Sequence, residues 1–289
     1  MTALDHATAA KYHQQVRDDW TNAATVAAWR DWHPKLRAIT REVTDALVRT
    51  ARIEPGLQVL DLACGTGEPA LTLAELVGPT GRVTATDLAS GMVAVAEANA
   101  RQAGLTNITC RQADVHDLPF PDAGFDRVTC RSGVMYFVDC LQALREVRRV
   151  LRPEGRAAFT TWGPLDQNSY FMTGLAPFLR RVNLPRPADE APGPHRFATL
   201  GPLATVMTEA GFRQVEEAFQ PVTLRWPGPP SELWESFYGL GVPFQPVINS
   251  LAPAEREQAV AEVLAGYERL YDGEAVVCSA QIVVASGVR

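Results

Sequence analysis

The sequence is short of several things that mark particular kinds of protein. It has five cysteines, Cys64, Cys110, Cys130, Cys140 and Cys278, with no Cys-x-x-Cys among them. An odd, scattered set argues against a disulfide framework or a thiolate metal site and for free thiols in a reducing cytoplasm. No His-Glu-x-x-His or similar cluster occurs, so no metal is expected. A Gly-x-Ser-x-Gly nucleophile elbow is also missing. No apolar run reaches bilayer-spanning length, which excludes a transmembrane helix from the expectations. The opening Met-Thr-Ala-Leu-Asp-His lacks a basic start followed by an apolar stretch, so no signal peptide is expected. A basic excess is missing too: the formal net charge is −6, with only two lysines, Lys11 and Lys35, among 27 basic residues. Nucleic-acid binding relies on cationic charge to neutralise phosphates, so that partner is disfavoured.

What is present is a globular composition, 46% hydrophobic and 21% charged over 289 residues. Residues 1–52 read as helical, with Trp29, Trp32 and Leu36 and then Val43, Leu47 and Val48 at helical spacing. Pro55-Gly56 breaks that pattern. Strands at 57–63, 82–87, 107–111, 125–130 and 155–162 then alternate with helices at 69–77, 90–103 and 139–151. This rhythm predicts an α/β fold with a mostly parallel sheet and helices on both faces. Ligands of such sheets bind at the carboxyl ends of the strands, where the strand order reverses. After Trp162 the rhythm stops. Pro185, Pro187, Pro192 and Pro194 mark 163–200 as an insertion. A helix at 200–210 and a strand at 212–226 return to the core, 227–273 is a second and largely helical insertion, and 275–286 is a final strand. The expected organisation is therefore a helical lid (1–52), a ligand-binding core (53–162), a cap (163–200), a core continuation (201–226), a helical cap (227–273) and a last core strand (274–289).

Gly65-Thr66-Gly67 falls where a strand turns into a helix, where glycines permit a tight turn and close backbone approach to a ligand. The run Gly65 to Ala70 satisfies a loose Gly-x-Gly-x-x-Ala pattern, which by itself admits NAD and an oxidoreductase. Two features turn the reading. Asp61 precedes the loop and Glu68 follows it, poor neighbours for a pyrophosphate but good ones for a ligand carrying an ammonium and a sulfonium. Asp114 follows the third strand as a carboxylate beyond Asp87, suited to accept a hydrogen bond from an adenine amino group.

The run Val59-Leu-Asp-Leu-Ala-Cys-Gly-Thr-Gly67 through Leu71 resembles the first motif of class I methyltransferases that use S-adenosylmethionine (SAM), nearest to the C-methyltransferases of ubiquinone and menaquinone biosynthesis and their small-molecule relatives. Supporting segments are Thr84–Met92, Gln112–Val115 with Leu118–Pro121, Phe125–Val128 with Ser132–Met135, and Leu151–Gly155, in order over roughly 55–162. The resemblance implies a Rossmann-like, mostly parallel seven-stranded sheet with a helical lid and cap insertions, and SAM as the cofactor. It implies that Ala63, Gly65 and Gly67 approach the methionine part, while Asp61 organises the loop and the amino group. Asp87 takes the ribose hydroxyls, Leu88 and Met92 pack on adenine, and Asp114 and Val115 meet its edge. Arg131 and Ser132 line the methionine end through their backbone, and Tyr12 and Trp20 fold over the cofactor from the lid. Met92 equally fits plain core packing.

Methyl transfer from a sulfonium is an in-line displacement, so the protein mainly orients the nucleophile and excludes water. Aromatic faces near the cation help. Trp29, Met135, Tyr136, Trp162, Phe197, Trp234 and Tyr238 are the expected acceptor contacts, although Trp29 is as well explained by lid packing. His195 in Pro192-Gly-Pro-His-Arg-Phe197 is the first candidate base, with Tyr136 as the other catalytic candidate and His33 as second choice among histidines; a loop histidine without a chemical task remains open for His195. His6, His13 and His116 read as peripheral. The expected acceptor is a small aromatic natural product methylated on carbon, with N- or O-methylation as the alternative. Cys130-Arg-Ser-Gly133 stands where an amino-directed base methyltransferase carries Asn/Asp-Pro-Pro-aromatic, and the intact cofactor motifs argue against a non-catalytic SAM-binding protein.

Overall fold

The computed structural model describes residues 5–183, 188 and 190–289, so the reading of residues 1–4 and of Pro185 and Pro187 lies outside the described residues. Three helices come first: α1 (His6–Thr21), α2 (Ala23–Ile39) and α3 (Arg41–Ala51). The Asp5 carboxylate caps α1 by accepting from the Ala7 and Thr8 amides, and Asn22 caps α2 through the Ala24 amide. Each cap satisfies donors that a helix start leaves unpaired. Arg52, in the left-handed region at φ 53°, ends α3.

The core then runs β1 (Gln58–Leu62), α4 (Ala70–Val77), β2 (Arg82–Asp87), α5 (Ser90–Gln102), β3 (Ile108–Gln112), β4 (Phe125–Arg131), α6 (Cys140–Val150) and β5 (Leu151–Trp162). It continues through α7 (Ser169–Leu179), α8 (Pro202–Glu209), β6 (Arg213–Pro227), α9 (Pro230–Leu240), α10 (Gln245–Asn249), α11 (Pro253–Glu268) and β7 (Ala275–Val288). The sheet has seven strands in the order β3-β2-β1-β4-β5-β7-β6. The first five are parallel, and β7 runs antiparallel to both β5 and β6. Sequence order reverses between β1 and β4, which is where a crevice opens at the carboxyl ends.

The apolar periodicity explains the layers. In α6, Leu144 and Val147 are fully buried against β4, β5 and α8. On the opposite side, Leu73, Ala74 and Val77 of α4 and Ala96 of α5 close over Val59 and Val83. β5 begins at Leu151, earlier than its sequence pattern indicated, because Leu151 pairs with Phe125 across an irregular register before the regular ladder starts at Arg156.

A larger difference lies beyond Trp162. Segment 163–200 is not only loop: α7 buries Phe171, Leu175 and Phe178 and packs on α11 and β7. Its prolines hid this helix, and Pro177 sits inside it. The long strands read at 212–226 and 275–286 are β6 and β7, and what the structure adds is how far they run together past the sheet. β7 pairs with β5 only from Ile282 to Val288, while Ala275–Gln281 continue past the end of β5, paired with Pro221–Pro227 of β6. This overhang carries the second core: Val222, Leu224 and Trp226 of β6, with Ile39 of α2, Leu233 of α9, and Val263 and Tyr267 of α11. It walls the side of the crevice that the parallel strands leave open. No helix among the described residues is long and apolar enough to cross a membrane.

Trp226 ties α2 to this overhang. It is 1% exposed, packs 5.4 Å from the Trp32 ring, and lies beneath the Lys35 ammonium at 5.5 Å. Truncating a buried aromatic of this size forfeits both transfer energy and packing. Trp226→Ala is expected to lower unfolding free energy by about 3–5 kcal/mol in a urea titration.

Candidate active site

The crevice is a single cavity that begins at the turn after β1 and ends among rings from the caps. Its floor is the glycine turn. Ala63, Gly65 and Gly67 all have positive φ, at 52°, 53° and 114°. The Gly65 amide donates to Asp87 Oδ2 at 2.8 Å, and the Ala89 amide donates to Asp87 Oδ1 at 2.9 Å. Asp87 thus staples the turn to the end of β2. Burial raises its pKa while the three backbone amides of Ala89, Gly65 and Leu88 oppose the shift. Gly67 does not line the cavity; a side chain there would press on Leu71 and Ala96, so its task is to let α4 start against α5.

Asp61 is fully buried beneath this floor rather than on it. Thr129 Oγ1 donates to its Oδ1 at 2.7 Å, and its Oδ2 has no hydrogen-bond partner. Burial pushes its pKa up to about 7, against the pull of Thr129 and of Arg131.

Ala63, Gly65, Asp87, Leu88, Met92, Asp114, Val115, Arg131 and Ser132 share the cavity wall. At its far end, Asp114 Oδ1 accepts from the His116 amide at 3.0 Å and contacts His116 Nδ1 at 2.6 Å. The hydrogen bond from His116 is the main reason the Asp114 carboxyl falls to about 2. His13 packs edge-on against His116 at 4.9 Å, and Arg17 comes within 3.9 Å of Asp114 Oδ2. His13 and His116 are therefore part of the cavity wall, not peripheral as their sequence positions indicated. Nothing in the linear sequence pairs α1 with the β3 turn.

The lid closes the middle. Trp29 stands over Gly65 with ring atoms 3.9 Å from where a Cβ would be. Trp20 meets Trp29 at 5.6 Å and Tyr136 at 5.3 Å, both edge to face. His33 Nδ1 lies 2.8 Å from Thr66 Oγ1 on the glycine turn. Burial and the nearby Arg131 and Arg37 guanidiniums hold His33 at about 4, so it is neutral near pH 7. Burial also keeps Tyr136 protonated, raising its pKa further above that of a free phenol.

Beyond the lid the cavity becomes a chamber of rings: Trp162, Tyr170, Phe171, Phe237 and Phe244, with Leu224, Leu240 and Pro243. Phe171 centres it, edge-on to Trp162 at 5.0 Å and to Phe244 at 5.7 Å. Met135 and Tyr136 reach the same space. Several expected contacts do not. Phe197 is 1% exposed in the core beside β5. Trp234 stacks between Phe178 at 5.6 Å and Phe237 at 6.0 Å and supports the chamber from behind. Tyr238, 37% exposed, faces outward and bonds Asn249. Tyr12 is half-buried on α1 away from the cavity wall. His195 sits behind Phe171 at 5.4 Å, and both ring nitrogens are shielded without a well-formed partner. Burial lowers its pKa, with the Gly163 backbone opposing weakly. The cavity wall at that point is Pro194. On α9 the direction of the helix decides which rings face the cavity: Phe237 does, while Trp234 and Tyr238 do not. Tyr170 and Phe244 were missed because no helix was assigned within the 163–200 insertion and the turn after α9 carries no motif.

Residues 59–155 match the family described as methyltransferase domain. The chain is 31% identical over 236 residues to nocamycin O-methyltransferase from Saccharothrix syringae, covering 78% of this chain and 82% of that enzyme. It is 38% identical over 111 residues to demethylmenaquinone methyltransferase from Listeria welshimeri, covering 38% of this chain and 47% of that enzyme. The chain thus spans about half the length of that second relative. Its fold matches the YcgJ protein of Bacillus subtilis with a TM-score of 0.55 at 21% identity, over 86% of this chain and 98% of that one. The chain belongs to the class I SAM-dependent methyltransferases, with the Rossmann-like fold of that family. It is an enzyme, and its methyl donor is SAM.

The raised pKa of Asp61 has a thermodynamic consequence in the unliganded protein. Its folded value, about 7, exceeds the usual 3.8, so the folded state holds the proton more tightly. The resulting stabilisation is complete below pH ~4 and is lost as pH rises through ~7, at up to about 1.4 kcal/mol per pH unit. Asp61→Asn removes the titration. Chemical denaturation is expected to show the variant gaining on the wild type from pH 5 to pH 8, with the reverse trend excluding this reading.

Proposed function

We propose that the enzyme transfers the methyl group of SAM to an oxygen of a small, apolar, ring-bearing acceptor. The observation that carries this reading is the chamber of Trp162, Tyr170, Phe171, Phe237 and Phe244, which is continuous with the cavity that starts at the glycine turn. Such walls bury a planar apolar body and offer it edge-to-face contacts.

In this reading Asp87 accepts from the ribose hydroxyls with lone pairs its backbone donors leave free, Leu88 and Met92 pack on adenine, and Asp114 with Val115 meets the adenine edge. Ala63 and Gly65 approach the methionine chain from the turn, and Arg131 and Ser132 do so from the end of β4 through their backbone. Gly67 and Asp61 act from beneath by shaping the turn. Trp20, Trp29 and Tyr136 present ring faces and edges around the sulfonium, where a cation is favoured. The acceptor oxygen attacks the methyl carbon in line with the departing sulfur. The acceptor reacts as its phenolate or enolate, having released its O–H proton to solvent water; a new C–O bond forms, the C–S bond breaks, its electron pair stays on sulfur, and S-adenosylhomocysteine (SAH) remains.

Oxygen is preferred over the carbon acceptor expected from the quinone-pathway resemblance for a reason of extent. The likeness to the demethylmenaquinone enzyme spans 111 residues, about the length of the 53–162 core. The likeness to the nocamycin O-methyltransferase spans 236 residues and 78% of this chain, so it must run through the 163–200 segment that carries Tyr170 and Phe171. Transfer to carbon is the second reading, favoured by the higher identity of that shorter match.

The test is incubation with SAM and a panel of phenols, enols, quinols and indoles, with the product's methyl assigned by NMR. An O-methyl resonance supports the proposal; a C-methyl product supports the second reading; turnover confined to aliphatic amines removes both. Neither Tyr136 nor His195 serves as the base in this scheme, since one is held protonated and the other lies behind Phe171. A genuine general base contributes roughly 10²–10⁴-fold. Tyr136→Phe and His195→Ala are therefore each expected to cost less than about tenfold in kcat, and a larger loss in either restores that residue as base.

A further inference from the structure

Arg131 closes β4, and its guanidinium turns away from the sheet towards α2 and α3. Nη1 donates to Thr40 Oγ1 at 2.7 Å and to Thr44 Oγ1 at 2.9 Å, and Nη2 donates to the Glu68 carbonyl at 3.0 Å. All of these acceptors are neutral oxygens. Among the described residues no carboxylate lies in ion-pair contact with Arg131. The Glu68 carboxylate is engaged elsewhere, by Arg37 Nε at 2.9 Å and the Thr72 hydroxyl at 2.9 Å. Asp61 accepts from Thr129 and holds only part of a charge near neutrality.

A guanidinium does not shed its proton to escape burial. Buried charges in proteins are ordinarily paired, because an isolated one loses its hydration without compensation. Arg131 is enclosed by protein, yet it keeps some accessible surface, and it lines the cavity beside the glycine turn. The imidazole of His33, on the same wall, is neutral and feels the Arg131 charge. Arg37 is shared between the carboxylates of Glu68 and Glu75, whereas Arg131 has no carboxylate of its own among the described residues. Arg131 is the guanidinium here whose direct partners are all neutral oxygens. Three hydrogen bonds leave guanidinium donors free, and the planar fork suits a carboxylate.

We infer that the side chain of Arg131 is the counter-ion of a carboxylate that arrives with a ligand. The inference rests on the methyl-transfer reading above and adds a role to Arg131 beyond its backbone. Two ligands supply that chemistry: the methionine end of SAM, and an acid group on the acceptor.

Calorimetric titration separates them. Wild type, Arg131→Met and Arg131→Lys are each titrated with SAH and with its decarboxylated analogue, S-adenosyl-3-thiopropylamine. They are then titrated, with SAH present, with an aryl carboxylic acid and its methyl ester. If the methionine carboxylate is the partner, wild type prefers SAH to the analogue by about 10- to 100-fold. Arg131→Met erases that preference and Arg131→Lys keeps part of it. If the acceptor supplies the acid, SAH and the analogue bind alike, and the preference of acid over ester is what Arg131→Met erases. Discrimination that survives Arg131→Met in both pairs, or is missing from wild type in both, overturns the inference. Should Arg131→Met fail to fold, the Arg131→Lys comparison decides alone, since the shorter ammonium cannot form the bidentate pair and weakens the discrimination. Failure of wild type to bind SAH at all would instead count against the methyl-transfer reading.

Discussion

The hydrogen bond from the Gly65 amide to Asp87 joins the turn after β1 to the end of β2, and the cofactor half of the cavity depends on it. Strand order reverses next to β1, so the turn that follows it stands at the mouth of the crevice with no strand beyond to brace it. Positive φ at Ala63, Gly65 and Gly67 folds that turn tightly, and Asp87 then fixes its height. The lid is seated on the result: Trp29 rests against Gly65 and His33 bonds Thr66. Moving the turn would move the floor, the lid contact and the start of α4 together.

Electrostatics divide the cavity along its length. Around the turn, ionisable groups crowd into a space with little water: Asp61, Glu68, Asp87 and Arg131, each with its charge disfavoured by burial. A low local dielectric makes their mutual balance strict, and Arg131 is the member left without a direct opposite charge. At the far end Asp114 is ionised firmly through His116. The ring chamber between the caps has no such groups on its Phe171 side, and water in it has little to bond to. The two ends of the cavity thus differ in character, one crowded with ionisable groups and the other lined by rings, which is what the proposed pairing of a charged donor with an apolar acceptor would require.

The cavity wall around the glycine turn was legible because its residues are clustered at strand ends in short, ordered motifs. Asp87, Leu88, Met92, Asp114, Val115, Arg131 and Ser132 were placed by sequence reading, and all reach one cavity wall. Asp61 was read as a site acid, and the structure seats it one layer lower, held by Thr129. The acceptor half was only partly legible. Trp29, Met135, Tyr136 and Trp162 reach the cavity, while Phe197, Trp234, Tyr238 and His195 do not. An aromatic residue in a cap announces burial of some kind; it does not say on which side of the helix the ligand lies. Phe171 and Phe237 face the cavity because α7 and α9 pack against α11 through their other faces.

Periodicity and local motifs are short-range properties, and the sequence by itself determined what they govern: the parallel core, its helices, the turn and the choice of methyl donor. Tertiary structure alone decided the rest. The β6–β7 overhang arises from an antiparallel register between segments separated by the three cap helices α9, α10 and α11. The His13–His116 contact and the unpaired charge of Arg131 depend on helices from the amino-terminal lid meeting strand ends a hundred residues later. Such pairings carry no signature in linear order, because what selects them is the packing and charge balance of surfaces that exist only once the chain has folded.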